Sequence, residues 1–186
     1  MAALSATTQL VAENDLTTAD RARIRSLLTA AFPDHAALWL VRDFWGGPLE
    51  YRILLQNVAG QLAAHLGFAR RLIRVNDRSV AIAGIAAVAI LPDFQGQGLG
   101  RKLLSALGAI LAEETSIDFG FLQCRYDVAG FYERSGFHRI SQPVRSFDPD
   151  RMIWQTDRTA ALILPVAAAE EDWPRGGIVD LMGMPW

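Results

Sequence analysis

The residues with types and spacing suited to chemistry are concentrated in Gln95-Gly-Gln-Gly-Leu-Gly-Arg101, where Gly96, Gly98 and Gly100 alternate directly after the apolar run from Val80 to Leu91. Glycines let a ligand approach backbone N–H groups closely, and a following helix adds the positive end of its dipole. A phosphate or pyrophosphate is the natural ligand of such a turn. The spacing G-x-G-x-G is neither a Walker loop nor the dinucleotide fingerprint G-x-G-x-x-G. On turn chemistry alone, tight packing of a helix on a strand explains the glycines equally well. The remaining reactive groups are sparse: one cysteine, Cys124, and three scattered histidines give neither a disulfide framework nor zinc spacing. A reducing, metal-free site is expected.

The elements that position the turn follow from periodicity. Thr17-Thr-Ala-Asp20 reads as a helix start, and Ile24, Leu27, Leu28, Ala31 and Phe32 repeat at helical spacing until Pro33 stops them. His35 to Trp45 reads as a second short helix, broken at Gly46-Gly47-Pro48. Residues 51–55, 61–74 and 79–90 read as an antiparallel meander of three strands, with turns at Asn57 to Gly60 and Asn76-Asp77. Leu103, Leu107, Ile110 and Leu111 mark one face of the helix after the glycine turn. A buried strand at 119–124, a short helix from Asp127 to Arg134 capped by Asp127 and stopped at Gly136, and strands near 137–140 and 160–165 complete the pattern.

Length and composition fit one domain over residues 1–186, with 51% hydrophobic content. A net charge of −2 without a Lys/Arg-rich run excludes the electrostatic footprint of a nucleic-acid binder. The N-terminus has no secretory pattern, and no apolar run reaches the ~20 residues that span a bilayer. A cytoplasmic, soluble protein with neither nucleic acid nor membrane as partner is the expectation.

With Ile90, Pro92 and Gln95, the turn resembles the acetyl-CoA signature of the GNAT-type N-acetyltransferases, here Gln95-Gly-Gln-Gly98-Leu-Gly100. A second marker of that superfamily, an aromatic-Tyr-Glu run ending in Gly-Phe, stands here as Phe131-Tyr-Glu-Arg-Ser-Gly-Phe137. The resemblance implies an α/β (α+β) GNAT fold: a central mixed, mostly antiparallel sheet of six or seven strands, about four helices, and a splayed strand pair that holds acyl-CoA. It implies that acetyl-CoA is the co-substrate and no metal is needed. Val88, Ala89 and Ile90 would offer the freed strand edge to pantetheine. Gln95, Gly96, Gln97, Gly98, Leu99, Gly100 and Arg101 would hold the pyrophosphate, with Lys102 adding charge. The Ile90 N–H would polarise the thioester carbonyl. Tyr132, whose ordinary pKa is ~10, would give a proton to the departing thiolate.

Two branches of the superfamily are similar in detail. Ala64-His-Leu-Gly-Phe-Ala-Arg-Arg-Leu-Ile73 resembles both the aminoglycoside 2′-N-acetyltransferases and the nodulation-type N-acyltransferases that acylate a chito-oligosaccharide amine. Phe32 to Gly47 matches the antibiotic-modifying branch, whereas Trp173-Pro-Arg-Gly-Gly-Ile-Val-Asp180 and Gly183 are closer to the nodulation branch. A primary amine on a small amino-sugar substrate is the shared implication. The antibiotic branch carries acids where this chain has His35 and Leu40, and a strand glutamate where it has Ala86. Loss of those acids argues for a less cationic acceptor, such as kasugamycin.

The missing glutamate leaves the base open. His65, with an ordinary pKa of ~6.5, is one choice, although a strand histidine with satisfied partners fits the same position. Glu50, Asp43 and the carboxylate at Trp186 are weaker choices, since each also fits a solvated charge. Trp39 and Trp45 suit stacking on sugar faces or core packing, and Arg25, Arg42 and Arg125 suit an acceptor carboxylate. The main expectation is therefore an acetyl-CoA-dependent N-acetyltransferase of an aminoglycoside-like 2′-amine, conferring resistance by direct transfer. The alternatives are a long-chain N-acyltransferase of the nodulation type and a non-catalytic acyl-CoA-binding domain. A homodimer through the C-terminal strands is implied by the superfamily.

Overall fold

A computed structural model describes residues 6–157 and 159–186. Two compact units emerge, one from residues 6–68 and 86–107, the other from residues 69–85 and 108–186.

The first unit is built on β1 (Ala6–Ala12), β2 (Tyr51–Asn57) and the first half of β3 (Leu62–Val75). β1 pairs antiparallel with β2, and β2 pairs antiparallel with β3. The sequence shows no sign of β1, because its polar-rich ATTQ start carries no alternating apolar pattern and the strand is defined by its pairing with β2. Helix α1 (Thr18–Ala31) starts on a full capping box: Thr17 Oγ1 accepts from the Asp20 N–H at 3.1 Å, and Asp20 accepts from the Thr17 N–H at 3.1 Å. It buries Ile24, Leu27 and Leu28, the residues whose spacing predicts it. After a 3-10 turn at Pro33–His35, α2 covers only Ala36–Val41, shorter than the expected 35–45. Arg42 is extended because the next residue, Asp43, has both its carbonyl and its carboxylate bound by Arg52. The core joins Val11, Ile24, Leu27, Leu28, Trp39, Leu54 and Leu62 to Ala87 and Ala89 of β4 (Arg78–Ile90).

The second unit holds strands in the order β6-β9-β5-β4-β3-β10-β7-β8. These include β5 (Phe119–Cys124), β6 (His138–Ile140), β7 (Val144–Asp148), β8 (Ile153–Asp157), β9 (Ala160–Pro165) and β10 (Val179–Asp180). β5 is parallel to β4 and antiparallel to β9. With β1, strands β7, β8 and β10 go beyond the expectation, so the described residues hold ten strands in place of six or seven. Arg, Asp and Pro interrupt 143–151, and β10 has only two residues, too short for a period to register. Helix α3 (Leu99–Ala112) follows the glycine turn, and α4 (Tyr126–Glu133) follows β5. Asp127 does not cap α4 as expected: its carboxylate accepts from Arg125 Nε at 3.0 Å. Gly136, at φ 89°, does provide the left-handed turn after the helix. Mixed pairing, mostly antiparallel, with four α-helices among the described residues, is the expected GNAT arrangement with additional C-terminal strands. Among the described residues, no helix is long and apolar enough to cross a membrane.

Candidate acyl-transfer site

In the first unit, the end of β4 and the loop after it are shaped by special backbone. Ala87 sits at φ 52°, a left-handed conformation that costs an alanine about 1–3 kcal/mol unless its surroundings impose it. Its carbonyl accepts a hydrogen bond from His65 Nδ1 at 2.9 Å. Past this kink lie Val88 and Ile90, both half-buried, with Ala89 turned into the core. The loop is braced by Gln95 Nε2, which donates to Ile90 O at 3.2 Å, and Gln97 Nε2, which donates to Asp93 O at 2.8 Å. Gly96 and Gly98 have φ 72° and 83°, with nothing within 4 Å of where a side chain would begin. They are glycines for backbone conformation, and the space over them is open. The first bond of α3 runs from Lys102 N to Gly98 O at 3.1 Å. The amides of Leu99, Gly100 and Arg101 therefore have no acceptor within the helix, and they face the end where its dipole is positive. Arg101 is exposed beside them. This geometry fits a phosphate or pyrophosphate group.

The same unit contains a buried charge cluster that sequence reading missed. Arg52, fully buried, donates from Nε to Glu13 Oε2 at 2.8 Å, from Nη2 to Asp43 Oδ1 at 2.7 Å, and from Nη1 to Asp43 O at 2.8 Å. Arg21 donates to both carboxylates from the rim. Asp43 is thus neither a solvated charge nor open to an acceptor, because burial and two arginines consume it. His65 is fully buried, with Arg52 Nη1 at 3.4 Å from its Nε2. Burial first, then the neighbouring guanidinium, pull its pKa down to about 3, against a smaller opposing pull from the Ala87 carbonyl. The ring is neutral, with its proton on Nδ1, and neither nitrogen is open to a solvent-borne amine.

Of the aromatic residues singled out in the sequence, Trp39 is a core residue at 1% exposure. Trp45 packs edge-on to it at 4.4 Å and His35 edge-on to Trp45 at 4.8 Å, so the three form one nest with Phe32. Arg25 and Glu50 are partly buried. Arg42 lies over the Phe44 ring at 5.9 Å, and its Nε is buried without a partner among the described residues.

In the second unit, Tyr132 lies on α4 between Phe131 and Phe137, with ring centroids 5.0 and 5.7 Å away. Burial pushes its phenol pKa well above the ordinary value, with Cys124 adding to the effect. The hydroxyl keeps its proton throughout the physiological range. Cys124 is pushed up to about 11, by burial first, so it is a thiol and a poor nucleophile at neutral pH. Arg125 is exposed and paired with Asp127.

The parallel ladder between β4 and β5 covers only Ile82–Gly84 opposite Phe119–Phe121. Where it ends, the indole of Trp186 lies on Gly84, so closely that a β-carbon there would come within 2.3 Å of the ring. Its Nε1 donates to Ile85 O at 3.1 Å. Phe121 packs edge-on to it at 5.9 Å, and the Arg71 guanidinium lies 5.5 Å above it. Arg71 in turn donates to the Leu181 and Met184 carbonyls. An isolated glycine inside an aliphatic strand was the available signal for this close approach. The segment Trp173–Asp180 leads into this corner: Trp173 packs on Phe119 and Phe121, and β10 pairs with both β3 and β7.

Comparison with known proteins adds the decisive finding. The profile of the family described as Nodulation protein A (NodA) matches residues 4–185. The chain belongs to the NodA family. Nodulation protein A of Rhizobium leguminosarum bv. trifolii is 24% identical over 185 residues, covering 92% of this chain and 93% of that one. Nodulation protein A of Mesorhizobium japonicum is 28% identical over 152 residues, 76% of each chain. Among solved structures, a GNAT family N-acetyltransferase (YhbS) from Escherichia coli in complex with CoA superposes with a TM-score of 0.65 at 20% identity, over 96% of this chain and 91% of that one. A GNAT family acetyltransferase from Brucella melitensis in complex with acetyl-CoA gives a TM-score of 0.54 at 20% identity, over 93% and 94%. Membership of the NodA family makes this chain an N-acyltransferase, and the solved structures show that it has the GNAT fold. These relatives give no support to the expected role in aminoglycoside resistance, and they favour the nodulation-type alternative.

Proposed function

We propose that this NodA-family chain transfers an acyl group from a coenzyme A-type thioester to a primary amine of an amino sugar, by direct attack of the amine. The observation that carries this reading is the family match over residues 4–185, joined to an open glycine loop at the start of α3 and a strand whose ladder stops at Gly84. In this reading, Gly96 to Arg101 hold the pyrophosphate, and the edge at Val88–Ile90 receives pantetheine, with the Ile90 amide on the thioester oxygen. Tyr132 supplies the proton that leaves with the thiol, since its apolar surroundings keep the phenol protonated. No acyl-cysteine is required, and the raised pKa of Cys124 disfavours one. The acceptor amine loses its proton to solvent, because His65 is neutral and enclosed.

An amino sugar with few charges suits the acceptor better than a polycationic antibiotic. Of the two acids in the expected acceptor loop, Asp43 is committed to Arg52 and Arg21, which leaves Asp34 as the one exposed carboxylate facing several ammonium groups. Coenzyme A release should be measured with acetyl and longer-chain acyl-CoA, and with the same chains on an acyl carrier protein. The acceptor panel pairs chito-oligosaccharides bearing one free amine with kasugamycin and gentamicin-like compounds. Turnover with the chito-oligosaccharides and an N-acylated product by mass spectrometry are expected. Turnover confined to the antibiotics would overturn the nodulation-type, low-charge acceptor, and none with any acceptor would overturn the enzymatic reading.

A further inference from the structure

We infer that His65 is a positioning residue that clamps the Ala87 carbonyl and so fixes the kinked end of β4 that presents Val88–Ile90. The inference rests on the reading of that edge given above and extends it to a residue that touches no substrate. Ala87 holds φ 52° although alanine has no intrinsic preference for it, and its side chain is locked in the core beside Leu54 and Leu62. A backbone conformation of this kind persists only where its neighbours over-determine it. The neighbour that does so is the His65 Nδ1–H, 2.9 Å from the Ala87 oxygen.

In the neutral ring, Nδ1 donates only in the tautomer whose Nε2 is the acceptor. Arg52, which has no acceptor atom and cannot lose its proton, faces Nε2 at 3.4 Å and enforces that tautomer. Arg52 is held by Glu13 on one side and by the carboxylate and carbonyl of Asp43 on the other, and Arg21 ties both acids together. A continuous chain of bonds thus runs from the segment before α1, through β2 and β3, to the kink in β4. The groups facing the imidazole are Arg52, the Ala87 carbonyl and, one bond further out, Glu13 and Asp43. With a cation on one side, the ring stays neutral and the clamp stays closed across the physiological pH range.

Two substitutions of similar size and polarity separate this role from a general packing role. The side-chain amide of His65→Asn takes the place of Nδ1 and keeps a donor to Ala87, whereas that of His65→Gln takes the place of Nε2 and loses it. Amide hydrogen exchange across 86–91 in the ligand-free protein should rise by about 10-fold or more in His65→Gln and stay within about 3-fold in His65→Asn. In turnover with a competent donor and acceptor, kcat should fall by about 10-fold or more in His65→Gln alone. Ala87→Gly adds a second arm, because glycine adopts φ 52° without strain. In that background the His65→Gln penalty should shrink to about 3-fold or less. Equal exchange in the Asn and Gln variants, or an undiminished penalty in the Ala87→Gly background, would overturn the clamp. A wild-type protein without acyl transfer to any acceptor would instead overturn the functional reading, and the exchange comparison would still decide the clamp.

Discussion

Two buried titratable clusters sit in this molecule, and they are built on opposite principles. Around Arg52 in the first unit, every charge meets a partner: Glu13, Asp43 and Arg21 saturate one another, and His65 completes the set. Around Tyr132 in the second unit, the neighbours are aromatic rings and a half-buried thiol. Saturation fixes geometry, because any displacement breaks several charge-assisted bonds at once. Apolar burial fixes a protonation state, because an anion there would be unsolvated. The first cluster holds side chains in place and the second holds a phenol in its protonated form.

That contrast can be broken at several points. The largest effect is expected from Arg52→Leu, which leaves Glu13 and Asp43 without their central partner and should cost about 3–5 kcal/mol in urea unfolding. A loss under about 1 kcal/mol would mean that the cluster is slack. The next is a pH dependence of stability. The folded ring titrates at about 3, while an unfolded histidine titrates near ~6.5. As pH falls through that window the unfolded chain takes up a proton that the folded chain refuses, so stability falls toward pH 3. Wild type should lose more stability between about pH 6.5 and 5 than His65→Asn, and equal slopes would contradict the neutral, buried ring. The smallest effect is expected at Cys124, where Ala should keep kcat within about 3-fold. Complete loss of turnover with intact substrate binding would revive an acyl-cysteine and dissolve the distinction between the two clusters.

Sequence reading reached the parts of this site that are local. Gly96 and Gly98 form the turn between β4 and α3, α1 starts on the capping box at Thr17 and Asp20, and Tyr132 stands on the helix after β5. What it missed is long-range or contrary to propensity. Arg52 meets Glu13 across 39 positions, and Trp186 meets Ile85 across 101, so no local pattern announces either. Ala87 adopts a conformation that alanine does not favour, and such conflicts between local preference and observed backbone gather at functional sites. Asp43 is a candidate base in the sequence and a structural acid in the fold, because the chain folds a buried arginine against it. The acceptor branch was ambiguous for a related reason: Phe32–Gly47 resembled one branch and Trp173–Asp180 the other. The second segment forms β10 and leads to Trp186 on Gly84, and the family match extends through it.

The most direct test of the account is the kcat of Tyr132→Phe at saturating acyl-CoA and amine, read beside its affinity for coenzyme A. The substitution removes one hydroxyl and leaves the ring packing against Phe131 and Phe137 in place. The account predicts a fall in kcat of about 10²-fold or more with coenzyme A affinity within about 3-fold of wild type. A kcat within about 3-fold of wild type would contradict it, and the buried phenol would then be a packing residue like its neighbours.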